Sequence, residues 1–263
     1  MTEPAAPSGL SDRPPLMSVK SVDKVFAGNI VALRNMSLDV REGDFISLLG
    51  PSGCGKSTAL RLISGLSHPT KGRITWAGGS DTNDLGVVFQ EPTLMPWATV
   101  EDNVWLPMRL KGIEKFSVRD EILDTLRLVG LEKFANAYPR ELSGGMKMRV
   151  SIARAMVTRP KLILMDEPFA ALDEITRFKL NNDLLELKAK LGCTVIFVTH
   201  SVFESVFLSD RIVIMAARPG RVIRELHVDA PYPRDEAFRT SAEYAGHTRA
   251  ASDALHEAMV EVA

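Results

Sequence analysis

The sequence predicts an α/β fold built on a mostly parallel sheet with helices on both faces. Three observations lead there. Short unbroken apolar runs, Phe45–Leu49, Leu162–Met165 and Thr194–Val198, have the length and composition of strands buried on both sides, as parallel sheets require. Between the second and third runs, Glu174 to Leu191 has helical spacing, with Leu180, Leu184, Leu187 and Leu191 on one stripe. A glycine-rich segment joins the first run to a helix, and strands alternating with helices in this way build parallel sheets.

Residues 1–16, rich in Pro, Ser and Ala, read as a disordered tail. The tail carries Glu3 and Asp12 and lacks the basic start and apolar stretch of a signal peptide. The main domain is expected over residues 17–230. It opens with two stretches, MSVKSVDKVF and MSLDV, that alternate apolar and polar positions as strands do. Glu42-Gly43-Asp44 turns the chain into the run Phe45–Leu49, and Thr58–Ile63 reads as a helix ending near Gly65. A region of about 95–155 has helical pattern and no strand signal, and is expected to be a helical subdomain inserted into the sheet domain. Residues 231–263 read as a Pro-marked linker and an amphipathic helix, with Tyr244, Thr248, Ala251, Leu255 and Met259 on its less polar side.

Composition excludes several classes. The 263 residues are 45% hydrophobic and 25% charged, the balance of a globular chain with a core to build. A formal net charge of −1 offers no electrostatic footprint for nucleic acid, and none is expected as a partner. The two cysteines, Cys54 and Cys193, are too few for a disulfide framework or a zinc site. No window approaches 18 consecutive apolar residues.

Chemistry concentrates in a few segments. Gly50-Pro51-Ser52-Gly53-Cys54-Gly55-Lys56-Ser57 matches the phosphate-loop pattern GxxxxGK[ST], after a buried strand and at the opening of a helix that continues with Thr58. Its glycines let backbone N–H groups turn around phosphate oxygens at a helix N-terminus that already favours anions. Lys56 supplies a positive charge to the β- and γ-phosphates, and Ser57 a hydroxyl to Mg²⁺. Asp166 and Glu167 end the run Leu162–Met165, where a carboxylate serves Mg²⁺ in phosphate-loop ATPases. Successive strand side chains point opposite ways, so Asp166 on the metal leaves Glu167 to orient and deprotonate the attacking water.

A further segment resembles a particular family. Leu142-Ser143-Gly144-Gly145-Met146, followed by Arg149, Ala153, Arg154 and Ala155, is similar to the signature of ATP-binding-cassette (ABC) ATPases, usually written LSGGQ. A serine before two glycines at a helix start is itself an anion site. Four other segments resemble family elements in register. Gln90 matches the Q-loop residue that reaches Mg²⁺ and the water. Ala170-Ala171-Leu172-Asp173 matches the D-loop. His200 after Val198-Thr199 matches the switch histidine on the γ-phosphate, and Phe26 the adenine-stacking aromatic. The resemblance covers about residues 18–225. It departs at Met146, which stands where the family has glutamine.

The resemblance implies a phosphate-loop NTPase (ABC ATPase) core with an antiparallel β flank and an inserted helical subdomain. It implies ATP and Mg²⁺ as cofactors, and two copies sandwiching two ATP molecules so that Ser143, Gly144 and Gly145 of one chain close over ATP held by Lys56 of the other. The expected partners are that second copy, transmembrane permease subunits and, through them, a solute-binding protein. The chain would sit in the cytoplasm on the inner face of the membrane. Trp97 with Leu94, Met95 and Pro96 forms an apolar cluster after Gln90, expected to help dock a membrane-subunit helix. The LSGGM form, Pro96-Trp97 and Arg218-Pro219-Gly220 resemble importers of nitrate, sulfonates and taurine. A non-transport ABC ATPase and an exporter cassette are the alternatives. The first typically carries two cassettes in one chain or a long coiled-coil insertion, and neither occurs here.

Overall fold

The computed structural model describes residues 15–77 and 85–260. The chain divides into two compact units, Met1–Thr82 with Thr194–Ala263, and Asn83–Cys193. The first unit opens with strands β1 (Pro15–Phe26), β2 (Ile30–Arg41) and β3 (Phe45–Leu49), helix α1 (Lys56–Ile63) and β4 (Lys71–Trp76). The second holds β5 (Leu85–Val88), α2 (Val100–Leu110), α3 (Arg119–Leu128), α4 (Gly144–Met156), β6 (Leu162–Asp166) and α5 (Glu174–Leu191). The first then resumes with β7 (Thr194–Thr199), α6 (Val202–Leu208), β8 (Arg211–Ala216), β9 (Arg221–His227), α7 (Glu236–Arg239) and α8 (Ala242–Val260).

Two kinds of sheet in the first unit follow from two kinds of sequence. β1 lies between β2 and β4 in an antiparallel sheet, and its pairs Met17–Val40, Val19–Leu38 and Val22–Met36 turn their apolar side chains inward. Alternation suits a sheet with one face on the core. β3 instead pairs in parallel with β7 on one side and β8 on the other, and all three strands are buried along their whole length. β9 closes the β8 edge antiparallel. In the second unit β5 and β6 pair in parallel, and the elements between them are all helices. Thr99 caps α2, accepting from the Asp102 N–H at 3.2 Å, and acidic Glu101 and Asp102 sit in its first turn.

Of the expected tail, residues 1–14 lie outside the described residues, while Pro15 and the buried Leu16 belong to β1. The C-terminal helix differs in detail from its expected face. α8 buries Tyr244, Ala251, Ala254 and Ala258, and leaves Leu255 only half-buried and Met259 exposed. Small alanines let the helix approach closely, and the Tyr244 hydroxyl donates to the Phe203 carbonyl at 3.0 Å. Arg234, fully buried, fastens the preceding segment by donating to the carbonyls of Val206, Phe207 and Ser209 at 3.1, 3.1 and 2.8 Å. These carbonyls at the end of α6 have no helical partner of their own, so the guanidinium takes that place.

Candidate functional site

The glycine-rich loop leaves the end of β3 and runs into α1. Gly55 is the N-cap, with φ 93°, a conformation that only glycine adopts without strain. The space around it is equally demanding. A Cβ on Gly55 would stand 2.6 Å from Leu33 Cδ2 and 2.9 Å from the Ala32 carbonyl oxygen, and one on Gly50 would stand 2.5 Å from the Met215 carbonyl oxygen. The loop is thus pressed onto β2 and the end of β8. Lys56 is buried, and its ammonium donates to the carbonyls of Gly50 at 2.7 Å and Pro51 at 3.0 Å. Ser52, Gly53 and Ser57 are exposed, while Pro51, Gly55 and Thr58 are half-buried.

Cys54 is turned into the protein interior. Its side chain is fully buried, with Sγ 3.8 Å from the Lys56 ammonium, and burial pushes the thiol above its ordinary value despite that cation. Any contact residue 54 makes with phosphate therefore belongs to its backbone.

His200 joins this loop through strand register. Leu49 pairs with Thr199, so Gly50 and His200 leave neighbouring parallel strands at their carboxyl ends, where open α/β sheets place ligands. The buried Thr199 hydroxyl donates to Glu204 Oε2 at 2.5 Å and accepts from the Ser201 N–H at 3.0 Å, fixing the turn in which His200 stands exposed. Phe26 lies apart at the end of β1, 43% exposed, with the Lys24 ammonium 5.0 Å from its ring centre.

The second unit gathers a second group. Val88 pairs with Met165, so Gln90 and the Asp166-Glu167 pair also leave adjacent strand ends. Asp166 is the last residue of β6, whereas Glu167 already lies in the turn, with φ 47°. Strand alternation therefore governs Asp166, but a left-handed backbone aims Glu167. Such strain in a residue other than glycine is characteristic of functional positions. A third group sits at the start of α4. Ser143 is its N-cap, accepting from the Met146 N–H at 3.3 Å, and Gly145 could not carry a Cβ without coming within 2.8 Å of Thr176 Cγ2. Asp173 caps the neighbouring α5, accepting from the Thr176 N–H at 2.9 Å, which holds its carboxyl below the usual range.

Two supporting residues play larger parts than their motifs imply. Arg154, on the helix that begins with Ser143, donates to the carbonyls of Pro92 and Thr93 at 2.9 Å each and so grips the segment after Gln90. Its spacing on α4 was the available signal; its target was not. Glu204, likewise, lies four residues past His200 and holds Thr199.

The chain is similar to known proteins along most of its length. The ABC transporter family model matches residues 33–170. The chain is 46% identical to an uncharacterized ABC transporter ATP-binding protein of Methanocaldococcus jannaschii, over 87% of this chain and 86% of that one. It is 41% identical to a nitrate import ATP-binding protein of Synechocystis, covering 86% and 89%, and 42% identical to an aliphatic sulfonates import ATP-binding protein of Bacillus cereus, covering 84% and 89%. Among solved structures it resembles an ATP-binding cassette described as a dimeric post-hydrolysis state bound to ADP and Pi, with TM-score 0.70 and 35% identity over 82% of this chain and all of that one. The fold is accordingly that of a phosphate-loop NTPase with a mixed sheet, an antiparallel β subdomain and helices. This chain belongs to the ATP-hydrolysing, ATP-binding proteins of ABC transporters.

Proposed function

We propose that the chain powers import of a small oxyanion, of the nitrate or sulfonate class, through separate membrane subunits on whose cytoplasmic face it docks. The observation that carries this reading is the kinship with nitrate and aliphatic sulfonate import proteins along more than four-fifths of the chain. No helix among the described residues is long and apolar enough to cross a membrane. Trp97, 76% exposed beside the half-buried Leu94 and Met95, belongs to the docking surface in this reading. Residues 17–230 are then the ATP-binding domain, with a helical subdomain at about 95–155 and a C-terminal linker and helix over 231–263.

The residues fit a magnesium nucleotide. The loop over residues 50–57 is a cradle that a Cβ at Gly50 or Gly55 would disrupt, and its buried lysine is positioned by the loop carbonyls. Ser57, Gln90 and Asp166 each offer an oxygen donor, the ligand type that suits Mg²⁺. The metal, when bound, neutralises charge on the phosphates. Lys56 binds the β- and γ-phosphates, Glu167 holds and deprotonates the water, and His200 contacts the γ-phosphate. Phe26 stacks on adenine. Ser143, Gly144, Gly145 and Asp173 serve the nucleotide of a second copy, so each site is completed only in a dimer.

Reconstitution with the co-purifying membrane subunits and a solute-binding protein tests the proposal. ATP-dependent uptake of nitrate or an aliphatic sulfonate into vesicles is expected, and chelating Mg²⁺ should stop it. Efflux of the same solutes, or ATP turnover with no partner subunits recovered, would overturn it.

A further inference from the structure

Gly220 lies in the turn between β8 and β9, fifty residues beyond the segment that matches the family model, yet it is packed against the phosphate loop. Its N–H donates to the Ala32 carbonyl at 3.1 Å, and its own carbonyl accepts from the Arg34 N–H at 2.8 Å. These two bonds make a parallel bridge between Leu33 and Gly220, which sets the turn beside β2. The face of Gly220 that lacks a side chain is turned to the loop. A Cβ there would stand 2.3 Å from the Cys54 carbonyl oxygen, 2.6 Å from the Ala32 carbonyl oxygen and 3.0 Å from Leu33 Cδ2.

Leu33 and Ala32 are also the atoms on which Gly55 rests. The peptide joining Cys54 to Gly55 is therefore seated on β2 and Gly220 together. That peptide immediately precedes Lys56, and the Gly55 carbonyl takes the first helical bond of α1, from Ala59 at 2.8 Å. Where it sits decides where the Lys56 ammonium and the first amides of α1 point. The two closest contacts at Gly220 are backbone oxygens rather than flexible side chains, so neither can swing aside.

We infer that Gly220 is a positioning residue for nucleotide binding: it forms the floor that sets the height of the phosphate loop, and it is glycine because any side chain would lift the loop. The inference rests on the loop's reading as the phosphate site. It predicts a defect in nucleotide affinity without loss of the groups that do the chemistry.

The test compares Gly220→Ala with Gly246→Ala on α8, where a Cβ meets nothing within 4 Å. Displacements near 1 Å cost up to about 10²-fold in well-ordered sites, so the KM for ATP of Gly220→Ala should rise at least tenfold, with kcat falling by a smaller factor. Gly246→Ala should match the parent. A folded Gly220→Ala protein whose KM stays within about twofold of the parent would overturn the inference. Hydrogen exchange on the unaltered protein decides the matter if that variant does not fold. Added MgATP should slow the amides of Arg34 and Gly220 together with those of residues 50–57. Slowing confined to residues 50–57 overturns the inference alone, while no slowing there removes the phosphate-loop reading beneath it.

Discussion

The starts of α1 and α4 differ in how much of an anion site each contains. Glycine stands at both starts, as the N-cap Gly55 of α1 and as Gly144 and Gly145 of α4, and both present first-turn N–H groups at the positive end of a helix dipole. At α1 the turn is clamped between β2, β8 and Gly220, its N-cap has no side chain to compete for the amides, and a buried lysine stands at the first position. At α4 the N-cap is exposed Ser143, whose own hydroxyl satisfies the Met146 amide, and the first position is Gly144. The first start is a finished cradle. The second has one first-turn amide held by its own cap, and in the proposed function its other amides add donors to a phosphate whose main cation comes from a second copy. A helix N-terminus thus becomes a primary or an auxiliary site according to whether a fixed cation and a rigid floor accompany it.

The largest expected effect breaks the finished cradle. Lys56→Ala should lower phosphate release by at least about 10²–10³, the scale of losing one preorganised stabilising group, and should weaken ATP binding as well. Near-normal turnover at saturating MgATP would contradict this. Glu167→Gln separates chemistry from binding. The amide cannot accept a proton, so turnover should fall by about 10²–10⁴ while ATP affinity persists, and an ATP-bound dimer should accumulate on size-exclusion chromatography.

Ser143→Ala probes the auxiliary start. Loss of the cap should cost about 1 kcal/mol in unfolding free energy. ATP affinity of the dilute single chain should be unchanged, yet phosphate release at concentrations that favour the dimer should fall about tenfold, as for loss of roughly 1.4 kcal/mol in the transition state. Titration of nucleotide binding beside phosphate release checks both halves. If affinity in the single chain drops as well, α4 belongs to a site within one chain.

Sequence and structure overlap unevenly across these two regions. The continuous apolar runs announced the buried parallel strands, because strands covered on both faces leave no polar positions to confuse the pattern. Helix α5 runs over Glu174–Leu191, the residues its leucine spacing marked, and the structure adds its caps, Asp173 and Gly192. The phosphate loop was equally plain, since its spacing is the chemistry. What sequence did not show was what lies behind the loop. Leu33 and Gly220 come from a hairpin strand and a distant turn, and nothing in their local pattern names a partner. Glu167 was read by strand alternation, but β6 stops one residue short and a left-handed turn takes over. The C-terminal helix misled in the same way. Tyr244 and Ala251 of its expected face are buried, but packing continues that face with Ala254 and Ala258, which allow close approach, rather than with Leu255 and Met259.

The smallest expected effect concerns Asp173. Its hydrogen bond from the Thr176 amide depresses its pKa below the ordinary 3.8, so the bond stabilises the folded chain fully above that value and is lost as pH falls through the lower folded-state value. In the absence of nucleotide, the gap in melting temperature between the parent and Asp173→Ala should be greatest near neutral pH and shrink below pH 3.8. A gap that is constant down to the acid transition would mean that the charge contributes nothing to the cap.

In the proposed dimer the finished and the auxiliary starts serve one nucleotide from different chains. Lys56→Ala and Ser143→Glu should each disable every site in their own homodimers, the first by removing the cation and the second by setting a carboxylate against the γ-phosphate. In a mixed dimer both defects fall in one site, and the other pairs an intact phosphate loop with an intact α4 start. Phosphate release should therefore reappear on mixing the two purified, folded variants, alongside ATP-dependent heterodimers detected by differential tagging. Heterodimers that form without any recovery of hydrolysis, or no association at all, would contradict it.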